Sequence, residues 1–173
     1  MTLPLALLDS LHFTFPGKAF ASGEAERIAY SYDNSRRHAL PDAVVFPTEH
    51  AQVEALVRAC RVHGVPVIAR GRGTNTTGAT VPVEGGVVVS FERMNRIVRI
   101  DPDNRLAVVE PGVLNADLQK ALAPHGFFWP PDPSSAPWCS VGGNLACNSA
   151  GPRAVKYGTP RENTLGLRAV AGS

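Results

Sequence analysis

The chain has 173 residues, 44% of them apolar, and a formal net charge of +2. That is enough apolar material for one well-cored domain or two small lobes, and too much for a disordered chain. The near-neutral balance gives no broad basic field, so nucleic acid is not an expected partner. No apolar run reaches transmembrane length, and three cysteines without a CxxC pair point to a reducing, cytoplasmic setting.

In chain order, residues 1–40 read as an N-terminal extension with a short helix over Leu3–Leu11, then a polar stretch ending in Tyr30-Ser31-Tyr32-Asp33. Ala43–Phe46 reads as a strand closed by Pro47, with Thr48 as the N-cap of a following helix and Glu49 in its first turn. Val53, Leu56, Val57 and Cys60 recur at i, i+3, i+4 and i+7, the apolar face of that helix, and Gly64 stands where a C′ glycine ends it. With the strand Pro66–Ala69 this makes a βαβ unit with parallel strands.

The next nine residues, Arg70-Gly71-Arg72-Gly73-Thr74-Asn75-Thr76-Thr77-Gly78, carry the strongest functional signal. Glycines permit positive φ and close backbone approach, while exposed N–H groups, two guanidinium groups and several hydroxyls share one small volume. That composition suits a diphosphate. It is neither a P-loop nor a Rossmann fingerprint. The plain alternative is a connection with arginines in solvent.

Beyond the loop, Val87–Ser90, Ile97–Ile100 and Leu106–Glu110 read as strands, with a turn at Asp101-Pro102-Asp103-Asn104. Asn115 reads as the cap of a helix carrying Leu118 and Leu122 and closing at Gly126. A second Gly/Ser/Asn-rich stretch spans 140–151, and Leu165–Ala171 reads as a last strand. The five histidines are scattered, so no metal site is expected.

The order of these features resembles the FAD-binding domain of the vanillyl-alcohol oxidase / p-cresol methylhydroxylase superfamily. Within it the chain is most similar to the 2-hydroxyacid branch of glycolate oxidase flavin subunits, D-lactate dehydrogenases and D-2-hydroxyglutarate dehydrogenases. The resemblance rests on PDAVVFPTEHAQVEALVRACRVHGVPVIARGRGTNTTGA (41–79), VEPG (109–112), PPDPSS (130–135), SVGGNLACNSAG (140–151) and YGTPRENTLGLRAVAG (157–172).

It implies an α+β fold: a first lobe over 41–80, a βαβ unit with a small parallel sheet, and a second, β-rich lobe over 81–173 with a mixed or antiparallel sheet and helices. It implies that Arg70, Gly71, Arg72, Gly73, Thr74 and Asn75, backed by Thr77 and Gly78, hold the FAD diphosphate. Pro131, Asp132, Ser134, Ser140, Gly142, Gly143, Ser149, Ala150 and Gly151 are then expected along the rest of the cofactor, and Val170 on its adenine side. Tyr157 and Gly158 match the family's Tyr-Gly turn. Thr74 stands where some members carry a covalently attached histidine, and Trp138 where others carry a cysteine, so noncovalent FAD is expected.

Family members continue further, with the remainder of the FAD domain and a substrate-cap domain. The resemblance therefore implies the FAD-binding portion of a dehydrogenase or oxidase for a 2-hydroxy acid such as glycolate or D-lactate. Such a portion is inactive alone, holds FAD weakly or not at all, and carries no assignable catalytic residue. An iron–sulfur partner, and through it a position beside the inner membrane, also follow from the resemblance. Two alternatives stand: a UDP-N-acetylenolpyruvoylglucosamine reductase-like domain, and a noncatalytic fragment.

Overall fold

A computed structural model describes residues 3–172, which form two compact units, 3–93 with 168–172 and Met94–Leu167. The division falls after Arg93, whereas the resemblance implies lobes that meet between residues 80 and 81. Residues 3–40 are not an appendage either, because they supply core to the first unit.

The first unit opens with helix α1 (Leu5–Thr14), strand β1 (Phe20–Ala21) and helix α2 (Glu24–Ile28). Strand β2 (Ala43–Val45), helix α3 (His50–Val62), strand β3 (Val67–Arg70) and strand β4 (Val87–Ser90) follow. The sheet order is β1-β2-β4-β3. β2 and β3 both pair in parallel with β4, and β1 pairs antiparallel with β2. The βαβ reading of 43–69 therefore holds, with the later strand β4 inserted between its two strands.

Strand alternation explains why both faces are apolar. Ala43, Val45, Val87 and Val89 pack with Leu7, Leu11, Leu56 and Cys60 of α1 and α3. Val44 and Val88 face the other way, with Phe46, Ile68 and Tyr30. α3 begins one residue later than its capping signal suggested: Glu49 is the N-cap, while Thr48 N–H and Oγ1 donate to Gln52 Oε1.

The second unit starts with a hairpin of β5 (Ile97–Asp101) and β6 (Leu106–Val109), turned through Asp101, whose carboxylate accepts from Asn104 N–H. A register shift between Ile97 and Arg99 lets Ile97 and Ile100, three apart, both join the core. Helix α4 (Asn115–Leu122) lays Leu118 and Leu122 on that core with Val113 and Val141, and Gly126 at φ 74° ends the 3₁₀ turn that continues it. Short helices α5 (Val141–Ala146) and α6 (Ala154–Tyr157) complete the unit.

The expected strand over 165–171 does not form. Residues 165–172 have no regular structure, and Leu165 and Leu167 are exposed. Apolar alternation makes a strand only where a neighbouring backbone offers ladder bonds, and this segment has none among the described residues.

Candidate functional site

The sequence-selected residues fall into two groups, one per unit, with Val170 in the unstructured C-terminal stretch. The first group is the connection leaving β3. From Arg72 to Thr76, no backbone N–H donates to another described residue. Gly73 and Gly78 take φ of 65° and 81°. Successive unsatisfied amides flanked by left-handed glycines are the makings of an anion cradle.

What holds this shape is a buried polar hub. Thr80 Oγ1 accepts from Arg70 Nη1 at 3.3 Å and Asn75 Nδ2 at 3.2 Å, and donates to Asp33 Oδ2 at 3.4 Å. Asn75 Oδ1 accepts from Thr77 N–H, Thr77 Oγ1 and Ala79 N–H, which folds the second half of the loop onto itself.

Arg70 departs from the expectation that both arginines point at a ligand. Its side chain is only 7% exposed. Nη1 donates to the Tyr32 carbonyl at 2.8 Å and Nη2 to that of Ala29 at 3.4 Å, with Cζ 5.6 Å from the centre of the Tyr30 ring. A guanidinium so fully engaged braces the loop from beneath. Arg72, by contrast, is exposed.

The wall behind the loop comes from residues that sequence reasoning passed over. Asn34 N–H donates to the Asn75 carbonyl at 3.0 Å and Asn34 Nδ2 to that of Thr74 at 3.3 Å. Burial works to raise the Asp33 carboxyl, but hydrogen bonds from Ser35 and Thr80 outweigh it and hold it below the usual range. Tyr30 donates to Glu92 Oε2 at 3.2 Å, and its hydroxyl is pushed up to about 12 by burial and then by the Glu92 charge. The Asp-Asn-Ser run at 33–35 is a turn signal, the one local hint of this wall.

The second group gathers around Asp132. Its N–H donates to the Ala150 carbonyl at 2.8 Å, and its carboxylate accepts from Arg153 N–H at 3.1 Å and pairs with Arg153 Nε at 3.2 Å. Gly151, at φ 75°, leaves no room for a side chain, since an ideal Cβ would lie 2.6 Å from Asp132 Oδ1. A Cβ on Gly142 would meet Pro111 Cβ at 2.7 Å. Close packing of the chain on itself thus accounts for both of these glycines.

Ser140 caps α5 by accepting from Gly143 N–H at 3.2 Å. Ser149 N–H donates to the Asn144 carbonyl, and Pro131 is buried, while Ser134 is exposed. Asn115, expected as a helix cap, is instead the first residue of α4 with Leu114 as the cap. Its fully buried amide donates to the Pro131 carbonyl at 2.9 Å and to Asn144 Oδ1 at 3.1 Å, tying the Pro131–Asp132 corner to α5. Tyr157 is half exposed and stacks edge-on with Phe128 at 5.2 Å.

Residues 41–173 match the family model described as an FAD binding domain. The chain belongs to that family. It is 42% identical over 152 residues to the glycolate oxidase subunit GlcD of Bacillus subtilis, an alignment covering 87% of this chain and 32% of the relative. It is 37% identical to the D-2-hydroxyglutarate dehydrogenase of Stutzerimonas stutzeri, covering 99% of this chain and 37% of that one. Among solved structures, an alkyldihydroxyacetonephosphate synthase superposes with a TM-score of 0.85 at 27% identity, over 93% of this chain and 35% of the other. The chain therefore spans about a third of the length of the relatives it matches. Among the described residues, no helix is long and apolar enough to cross a membrane.

FAD is the cofactor the family binds, and the loop after β3 fits its diphosphate. The free amides of Arg72 to Thr76, the φ of Gly73 and Gly78, and the exposed Arg72 together present donors and positive charge without an opposing carboxylate on the loop itself.

Proposed function

We propose that this chain is the FAD-holding portion of an oxidoreductase acting on a 2-hydroxy acid such as glycolate or D-lactate. The run of unsatisfied amides over Arg72 to Thr76 carries the reading, and similarity to glycolate oxidase subunits and a D-2-hydroxyglutarate dehydrogenase supports the substrate class. When bound, FAD supplies a two-electron acceptor for the hydride leaving the hydroxylated carbon.

The chain's own residues bind and orient. The amides of Arg72 to Thr76 and the Arg72 guanidinium replace water around the diphosphate. Gly71 admits it closely, while Gly73 and Gly78 supply the left-handed backbone that turns the loop around it. Arg70, Asn75 and Thr80 keep the loop in its binding shape, so that little ordering is left to binding. Asp132, Ser134 and the backbone of Ser149 and Ala150 are proposed contacts further along the cofactor. Val170 is retained as an adenine-side contact through its backbone.

Attachment is noncovalent, in keeping with the absence of histidine from 64–124. The word "subunit" in the GlcD name supports a partner protein, for which an iron–sulfur electron acceptor is the proposed type. A cytoplasmic setting, with inner-membrane contact only through that partner, is supported by three free cysteines.

The test is an FAD titration of the purified chain, read by flavin absorbance and fluorescence, with Gly73→Asp as the control. Although the resemblance implies weak FAD binding or none by such a portion, the preformed loop makes saturable binding that the control abolishes the expected result. A folded wild-type chain with no FAD affinity would remove the loop from the cofactor site.

A further inference from the structure

With Arg70 facing inward, the cradle of residues 72–76 keeps one guanidinium of its own, yet a diphosphate brings two charges. A second cation stands beside it on a segment distant in sequence. Residues 31–39 double back through a bridge between Tyr32 and His38, a 2.8 Å bond between Ser31 Oγ and His38 Nε2, and Ala39 N–H donating to the Ser31 carbonyl. Asp33 Oδ1 accepts from Ser35 N–H at 2.8 Å and Ser35 Oγ from Arg37 N–H at 3.2 Å, closing the turn. Asn34 then fastens this turn to the carbonyls of Thr74 and Asn75.

The fastening sets Arg37 directly over the far end of the glycine loop. Arg37 Cδ lies 3.0 Å, and Nε 3.6 Å, from where a Cβ on Gly78 would be. Gly78 is thus a glycine for two reasons, its φ of 81° and the arginine stem laid across it. Arg37 is exposed, and its guanidinium has no hydrogen-bond or ion-pair partner among the described residues. Its stem is packed and its charged head is free.

We propose that Arg37 is a diphosphate-binding residue, the second cation of the site, delivered by the 31–39 turn in place of the buried Arg70. The proposal rests on the reading of 72–76 as the FAD diphosphate cradle and adds a residue that no glycine-loop motif contains. It also gives that turn a purpose: the contacts of Asn34 and Asp33 set where Arg37 stands relative to Gly78.

The experiment measures FAD and ADP binding to the wild-type chain and to Arg37→Gln, Arg37→Lys and Arg36→Gln, with melting temperatures for each. ADP carries the diphosphate without the flavin. Losing one charge-assisted contact is expected to weaken both ligands by about tenfold in Arg37→Gln, and by equal factors. Arg37→Lys, which keeps the charge, recovers most of the loss, and Arg36→Gln binds as wild type. Raising the salt concentration narrows the gap between wild type and Arg37→Gln. If a well-folded Arg37→Gln binds FAD as wild type while Gly73→Asp does not, the assignment is overturned and the cradle stands. A loss for FAD without a loss for ADP also overturns it. A wild-type chain that binds neither ligand overturns the cradle and the assignment together.

Discussion

The guanidinium of Arg70 fills the space where a side chain on Gly73 would begin: an ideal Cβ there lies 2.6 Å from Arg70 Cζ. The two residues share a loop, yet they meet because Arg70 turns back under the chain to reach the carbonyls of Tyr32 and Ala29. The glycine and the arginine are therefore one device.

Gly73→Ala should cost about 1–2 kcal/mol from the left-handed backbone alone, with more from displacing Arg70. Urea unfolding gives the stability change, and FAD titration reads the shape of the loop. A variant as stable as wild type with full FAD affinity would show that Arg70 moves freely and does not brace the loop.

Arg70→Met keeps an apolar stem but leaves the part-buried carbonyls of Tyr32 and Ala29 without this donor and the buried Thr80 hydroxyl with one donor, Asn75, in place of two. Stranding such groups costs roughly 1–3 kcal/mol. Because Arg70 points inward, the stability loss should accompany any loss of FAD affinity. Weakened binding with an unchanged melting temperature would mean that Arg70 faces the ligand.

Asn115→Ala should destabilise by about 2–3 kcal/mol, since it removes both bonds to the Pro131 carbonyl and Asn144 and opens a small cavity. Asn115→Asp should be worse, because it sets a carboxylate against a carbonyl that needs a donor. Denaturant unfolding of the pair checks the order, and its reversal would rule out the amide clamp.

Asp33 fixes the sign of one acid-side effect. Its carboxyl is held below the usual range in the fold, so the stabilisation is present above about pH 4, where the unfolded carboxyl is also ionised. It drains away as pH falls through the lower folded value. Asp33→Asn should melt earlier at pH 7 and lose less on going to pH 3 than wild type does, as followed by circular dichroism.

Thiol chemistry should separate the three cysteines. Cys147 is exposed, whereas Cys60 and Cys139 are buried, and burial pushes the Cys60 thiol up to about 11. An aromatic disulfide reagent at pH 8 should titrate one thiol quickly, and the other two only after unfolding. Rapid reaction at all three sites would contradict the packing of α3, which carries Cys60, against the sheet.

The elements readable in the sequence are those whose signal is local. β2 and β4 announce themselves as short β-branched runs, and α3 shows Val53, Leu56 and Cys60 at helical spacing. The loop over 70–78 shows its glycines plainly, but not the direction of its arginines, because the partners of Arg70 lie about forty residues earlier in the chain. Asn115 was misread for the same reason. An asparagine at a helix start looks like a cap from its neighbours, while its real partners are Pro131 and Asn144. The turn at 31–39 carried almost no signal, since its meaning lies in what it touches. Leu165–Ala171 shows the converse, a strand pattern without a ladder.

The insertion of β4 between β2 and β3 bears on how the chain is made. During synthesis, residues 43–45 and 67–70 emerge well before 87–90, and neither strand hydrogen-bonds the other. The sheet waits for its middle strand, and the glycine loop is the tether that brings it home. Such long-range parallel pairing is slow to form and leaves apolar edges open meanwhile. Substitutions that stiffen or lengthen 71–86 should therefore lower the yield of folded protein as well as the affinity for ligand, by delaying the arrival of the keystone strand.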